Sequence, residues 1–439
     1  MSDLKQSALK IFRETLAAID IPSAMQRKLD RGGSKILVNG APLDLRAFDE
    51  ICAVAIGKAS VAMAHGLAQT LAPDFRAEGI VVAPTPDAKP PEPFQLLLAG
   101  HPVPNEASFA AARAILDLLF TATDRTLIFF LLSGGGSSLV ELPLDESVTL
   151  EDTRALNRVL VTCGASIDEI NAVRKHLSAV KGGRLAIAAG LATKITFAVT
   201  DVPEGQESAL ASGPTLPDPS TVSDACEVVR RYGLLSKLPP VFQAQFEHPE
   251  SIAETPKPAD SAFDSRRNAF QILLGRHDLF HAAHHVSEST EFVTICDNTT
   301  DNWPIEKAVD FLLAQLDALK KDNPTKSVAV IADGEVSSPV TGDGVGGRNL
   351  AFVLDAVRKI AGRKLAVLSA GTDGIDGSSP AAGAVADGET LGRAQALGLD
   401  PTDYFERSDS YHFFRALGDA IETGPTGNNL RDLRILLAE

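Results

Sequence analysis

Two glycine-rich loops constrain this chain more than any other feature: Ser133-Gly134-Gly135-Gly136-Ser137-Ser138 and Gly342-Asp343-Gly344-Val345-Gly346-Gly347-Arg348. Each lies between a strand-like run and a helical one, the arrangement in which backbone N–H groups converge on an anion without interference from a Cβ. The first follows the continuous apolar run Leu127 to Leu132, and the second ends on a fixed positive charge, Arg348. A guanidinium there is able to grip a carboxylate or phosphate at two points.

Around these loops, strand and helix patterns alternate. Leu4 to Ala18 reads as an amphipathic opening helix, Ile51 to Ile56 as a strand, Ala59 to Leu71 as a helix, and Gly79 to Ala83 and Gln95 to Ala99 as strands. Ala107 to Phe120 is helical, Thr126 to Leu132 a strand, and Lys194 to Thr200 a strand running into Asp201. This alternation predicts an α/β protein with a mostly parallel sheet covered on both faces. The chain's 439 residues suit two domains, a typical domain having roughly 100–200. Leu238-Pro239-Pro240 and the polar stretch His248 to Asp260 interrupt both periodicities, which predicts a domain over 1–240, a linker over 241–262 and a second α/β domain over 263–439. The cleft between two such domains is the expected place for chemistry.

Charge narrows the function. A net charge of −16 disfavours nucleic-acid binding, which depends on neutralising phosphates with Lys and Arg. An acidic protein that binds phosphate must gather its cations locally. Lys58 follows a buried-looking strand and precedes a helix, and Lys181-Gly182-Gly183-Arg184 places two more cations beside glycines. No apolar stretch approaches the roughly 20 residues of a membrane helix, and the polar start lacks a signal-peptide core, so a cytoplasmic protein is expected. Cys52, Cys163, Cys226 and Cys296 show no C-x-x-C spacing, which points to neither zinc nor a disulfide framework.

The motifs exclude several chemistries. No G-K-[ST] follows the first loop, against a P-loop NTPase, and no G-x-G-x-x-G precedes an acid at dinucleotide spacing. No G-x-S-x-G elbow is present. Asp201, at a strand end, suits a metal ligand, a general base or a helix cap. Asp333-Gly334-Glu335, Asp373-Gly374-Ile375-Asp376-Gly377 and Asp387 repeat acids at strand ends, a set that suggests Mg²⁺, whose hard oxygen ligands include carboxylates and phosphates. Structural hydrogen bonding is the simpler role for His101, His176 and His412.

Together, Ala55-Ile56-Gly57-Lys58-Ala59, Gly100-His101-Pro102-Val103-Pro104-Asn105, the Ser133 to Ser138 loop, Lys181-Gly182-Gly183-Arg184, Thr200-Asp201-Val202-Pro203, Ser212-Gly213-Pro214-Thr215, Gly346-Gly347-Arg348-Asn349, Ala370 to Gly377 and Gly424-Pro425-Thr426-Gly427-Asn428-Asn429 resemble the class II glycerate kinases. The resemblance runs from about Leu4 to the apolar run Leu430 to Leu437. Where the family commonly carries Arg-Asn-Gln-Glu, this chain has Arg348-Asn349-Leu350-Ala351, which keeps the arginine. The resemblance implies a larger Rossmann-like N-terminal domain and a smaller C-terminal domain of the MOFRL type. It implies ATP phosphates on Ser133, Gly134, Gly135, Gly136, Ser137 and Ser138, with Lys181 and Arg184 as supporting cations. Lys58, Arg348 and Asp201 are then the catalytic candidates, Lys58, Arg348 and Asp373 the substrate contacts, and Asp201 and Glu335 the metal ligands. The implied reaction is ATP- and Mg²⁺-dependent phosphorylation of D-glycerate, in many bacterial members to 2-phosphoglycerate, by a monomer or homodimer. Two alternatives from other classes are an NAD(P)H-dependent hydroxypyruvate or tartronate reductase and a non-catalytic sugar-acid-binding regulator.

Overall fold

The structure, a computed structural model, describes residues 3–85, 89–200, 202, 205–428 and 430–439. They divide into two compact units, one of Ile21–Leu273 and the other of the residues up to Asp20 together with Leu274–Glu439.

Apolar runs buried on both faces make interior parallel strands, and Thr126–Ser133, with all eight residues buried, is the central case. It pairs in parallel with Glu50–Ile56 on one side and Thr193–Val199 on the other. Glu78–Ala83 and Gln95–Leu98 extend the first side, and Asn268–Leu274 completes a six-stranded sheet beyond Thr193–Val199. Register decides where the loops emerge. Ile56 lies opposite Leu132, and Ser133 opposite Val199, so the carboxyl ends of three adjacent strands finish level. Ligands collect at that edge in open α/β sheets. Helix Glu106–Phe120 is started by a reciprocal cap in which Asn105 Oδ1 accepts from Ser108 N–H at 3.1 Å and Ser108 Oγ accepts from Asn105 N–H at 3.1 Å.

The second unit holds a mixed six-stranded sheet in the order Ala420–Ile421, Gly383–Asp387, Leu365–Gly371, Asp432–Ala438, Val328–Asp333, Val293–Asp297. The last strand of the chain is inserted antiparallel between Leu365–Gly371 and Val328–Asp333. Asp432 therefore starts beside Gly371 and Leu433 beside Asp333, which brings an acid at a strand beginning to the edge where its neighbours end. Helix Arg348–Lys359 buries Leu350, Phe352, Val353, Ala356 and Val357 against this sheet.

Three boundaries differ from the sequence expectation. The 241–262 segment carries helix Pro240–Glu247, whose Phe242 and Phe246 are buried in one cluster with Leu160, Val173 and Val228. Pro240 starts that helix, a position where proline's missing N–H costs nothing. Strand Asn268–Leu274, within the 263–439 range expected for the second domain, is the edge strand of the first sheet. The opening helix, Asp3–Ala18, packs with the second unit, burying Ala8, Ile11 and Phe12 completely. Its Lys5 is also fully buried, 2.9 Å from Asp419 and 3.6 Å from Asp387. Among the described residues no helix is long and apolar enough to cross a membrane.

Candidate active site

In the first unit, two turns interlock because their strands end level. Lys58 N–H donates to the Gly134 carbonyl at 2.9 Å, and Ala59 N–H donates to Ser133 Oγ at 3.0 Å. Gly57 has φ +124°, and a Cβ there would meet Ser133 Oγ at 2.2 Å, so only glycine lets the Lys58 turn close on the loop. Gly135 takes the left-handed conformation at φ +87° and leads into the short helix Gly136–Leu139. The Lys58 side chain is exposed at this edge.

A second layer supports the loop from behind. Ser137 Oγ lies 2.8 Å from Ser212 Oγ, and the buried Ser212 hydroxyl donates to Asn171 Oδ1 at 3.0 Å. Ala211, Ser212 and Gly213 form a run of positive φ (+50°, +60° and +61°). For the two non-glycine residues this is strain of about 1–3 kcal/mol each, held in place by surrounding contacts. The Lys181-Gly182-Gly183 backbone supplies those contacts, with Gly182 N–H donating to Ser212 O at 3.0 Å and Gly183 N–H to Gly213 O at 2.7 Å.

The side chains expected to grip phosphate from this segment are engaged elsewhere. Lys181 is fully buried and paired with Glu141; burial pushes its pKa down while the Glu141 carboxylate opposes the shift. Arg184 points a terminal nitrogen at the carbonyls of Ala253 and Glu254, each at 3.4 Å. What this segment gives the turn behind the loop is its backbone N–H groups, at Gly182 and Gly183. Asp201 lies outside the described residues.

In the second unit, Arg348 opens its helix and holds two acids. Its Nη1 and Nη2 donate to the two Glu335 carboxylate oxygens at 2.7 Å each, and Nε donates to Asp432 Oδ2 at 2.5 Å. Burial alone would lower the Arg348 pKa, but the hydrogen bonds and charges of Asp432 and Glu335 outweigh it and raise it. Glu335, expected as a metal ligand, thus commits both oxygens to Arg348, and among the described residues no cluster of three or more His, Cys, Asp or Glu side chains is arranged to hold a metal.

Asp376 lies behind this group, 2% exposed, accepting from Leu350 N–H at 2.8 Å and from Asn349 N–H at 3.1 Å. It satisfies two N–H groups that the first turn of the helix leaves unpaired. Burial pushes its pKa up to about 7 against those hydrogen bonds, with Asp432 adding to the rise. Asp373 is half-buried and its Oδ1 accepts from Ile375 N–H at 3.2 Å, shaping its own turn. Asp333 is pushed above the usual carboxylate range by burial, and its buried Oδ1 has no hydrogen-bond partner. His176 and His412 sit in helices with structural bonds, to Ala172 O at 2.7 Å and Asp409 Oδ1 at 2.6 Å.

Sequence reasoning missed Asp432, Glu141 and Asn171 as partners. Asp432 is 84 positions from Arg348, and no local pattern links them. Only the insertion of the last strand does so.

Fold and site define an α/β protein of two units, each setting a cation on a glycine-rich turn at the end of a sheet. The family described as a domain of unknown function, DUF4147, matches residues 7–247, and the MOFRL family matches residues 328–432. A D-glycerate 2-kinase from Thermotoga maritima is 35% identical, covering 98% of both chains, and a glycerate 2-kinase from Pyrococcus horikoshii is 30% identical over 99% of this chain and 97% of its own. A relative from Agrobacterium vitis, named only provisionally as a hydroxypyruvate reductase, is 37% identical over 99% of this chain and 94% of its own. The crystal structure of the glycerate kinase from Thermotoga maritima matches with a TM-score of 0.84 at 34% identity, covering 99% of each chain. The chain belongs to the glycerate kinase family built from a DUF4147 and a MOFRL domain.

Proposed function

We propose that this protein transfers the γ-phosphoryl group of ATP to the 2-hydroxyl of D-glycerate, giving 2-phospho-D-glycerate and ADP. The observation that carries this reading is the interlocked pair of turns, Gly57-Lys58 on Ser133–Ser138, in a chain similar along its whole length to a D-glycerate 2-kinase. Phosphoryl transfer asks for placement and charge neutralisation more than for covalent chemistry. The loop's backbone N–H groups and the exposed Lys58 ammonium provide both for a phosphate. Arg348, held by Glu335 and Asp432, is the second cation proposed for the glycerate carboxylate or for phosphate, which would exchange with the Glu335 carboxylate, and Asp373 is the further substrate contact.

Magnesium enters with the nucleotide in the assay that tests this reading. Glu335 is bound through both carboxylate oxygens to Arg348, so it would reach a metal only by giving up one of those bonds. Asp201 is the carboxylate proposed for the base or the metal. The enzyme acts on small molecules, in the cytoplasm, as a monomer or homodimer.

The name carried by the Agrobacterium vitis relative gives a reductase reading its one support. Purified protein given ATP, Mg²⁺ and D-glycerate is expected to form ADP only when glycerate is present. Oxidation of NADH or NADPH with hydroxypyruvate, without such ADP formation, would reject the kinase reading in favour of the reductase.

A further inference from the structure

His101 has no part in the roles given to Lys58, Arg348 and Asp201, yet it stands at the phosphate loop itself. A Cβ placed on Gly135 would lie 3.2 Å from His101 Cε1 and 3.3 Å from Nδ1, so the imidazole packs directly on the left-handed turn of the loop. Nδ1 is 3.0 Å from Ser138 Oγ, and the Ser138 hydroxyl donates to the Gly135 carbonyl at 3.2 Å. A hydroxyl has one proton to give. With that proton on the Gly135 carbonyl, Ser138 Oγ accepts from Nδ1–H, and the neutral ring carries its lone pair on Nε2. Among the described residues Nε2 has no protein hydrogen-bond partner, and the residue is exposed.

The electrostatics favour the neutral ring. Partial desolvation and then the Lys58 ammonium hold the His101 pKa below the ordinary imidazole value. Lys58 comes from the facing turn, and the loop adds only serine hydroxyls and backbone groups. A base for a hydroxyl that attacks a loop-bound phosphate needs this combination of a fixed tautomer, an open lone pair and neutrality near pH 7.

We propose that His101 is the general base for phosphoryl transfer, accepting on Nε2 the proton of the attacking glycerate hydroxyl. The proposal rests on the kinase reading of the same loop. As the hydroxyl oxygen bonds to the γ-phosphorus of ATP, the bond from that phosphorus to the β-bridging oxygen breaks and its electron pair leaves with ADP. The hydroxyl proton passes to Nε2. The resulting imidazolium, next to Lys58, returns that proton to solvent, and the ring is again neutral. Asp201 is then left with the metal.

The test is the pH dependence of kcat for wild type, His101→Gln and Ser138→Ala with saturating MgATP and D-glycerate. Wild type is expected to lose activity as pH falls through a pKa below about 6.5, the ordinary imidazole value. His101→Gln is expected to lower kcat about 10²-fold, to abolish that acid limb and to leave ATP affinity by calorimetry within about 2-fold. Ser138→Ala, which removes the tautomer lock, is expected to lower kcat several-fold and keep the limb; it serves as the readout if His101→Gln melts early. Full kcat in a folded His101→Gln, or in Ser138→Ala should His101→Gln not fold, would overturn the proposal and leave the kinase reading standing. Weaker ATP binding at unchanged kcat, with affinity rising at acid pH, would also overturn it, making the ring a phosphate contact instead. A wild type that phosphorylates no glycerate would overturn both.

Discussion

Arg348 satisfies two acids at once, Glu335 through its terminal nitrogens and Asp432 through Nε, and the Asp432 side chain is only 5% exposed. Removing the arginine leaves that carboxylate buried without its strongest partner, a loss of about 1–3 kcal/mol. Arg348→Ala is therefore expected to lower both kcat/KM, by at least ~10²-fold, and the melting temperature. Lysine will not restore it, because one ammonium cannot form the fork that binds two carboxylates. Lys58→Ala should cost a similar factor in kcat/KM. A Lys58→Ala enzyme with near-full activity would remove Lys58 from the site. Asp376 adds a pH signature. Its pKa is raised from 3.8 to about 7 in the folded state, so the fold binds its proton more tightly than the unfolded chain does. That contribution to stability is fully present below about pH 4 and is lost as pH rises towards 7. Urea melts of wild type and Asp376→Asn should thus diverge in pH slope between pH 4 and 7, with wild type losing stability relative to the variant as pH rises. Parallel slopes would mean that Asp376 is ionised throughout.

At the scale of elements, the phosphate loop depends on the strained turn behind it. A Cβ on Gly136 would lie 2.7 Å from Ala211 Cβ and 3.3 Å from Ile56 Cγ2. Gly136→Ala is expected to destabilise by about 1–3 kcal/mol through overpacking and to raise the KM for ATP. Ala211→Gly removes the nearer obstacle and also relieves a positive φ, so the double variant should recover much of the loss. A double-mutant cycle by chemical denaturation should show coupling of at least about 0.5 kcal/mol; additivity would mean that the two turns do not bear on each other. Much of this edge was legible beforehand. The apolar run ending at Leu132, the three glycines and the Gly57-Lys58 turn all report a strand end with close backbone approach, and the structure has that. The partners of Lys181 and Arg184 were not legible. A cation beside glycines has the same local pattern whether it faces solvent or is buried against Glu141, and only tertiary packing separates the two.

The same distinction governs the whole molecule. The alternation of strand and helix suffices for an α/β fold, but proline and polarity near 240 suit a linker and a helix start alike, and Pro240 begins a packed helix. Nothing local in Leu4 to Ala18 shows that it belongs with residues 274–439. Its signature, in hindsight, is Lys5 on an apolar helix face, a buried cation that requires acids, which Asp419 and Asp387 provide. Deleting residues 1–20 is expected to strip hydrogen-exchange protection from strands Leu365–Gly371 and Gly383–Asp387 while strands Glu50–Ile56 and Thr126–Ser133 keep theirs. Equal loss in both sheets would contradict the division into units. The proposed function is phosphorylation of D-glycerate at its 2-hydroxyl. Enolase, which accepts the 2-phosphate and not the 3-phosphate, tests this directly when added to the protein with ATP, Mg²⁺ and D-glycerate. Phosphoenolpyruvate is expected to form without a phosphoglycerate mutase; ADP accumulation with phosphoenolpyruvate appearing only after a mutase is added would rule out phosphorylation at the 2-hydroxyl.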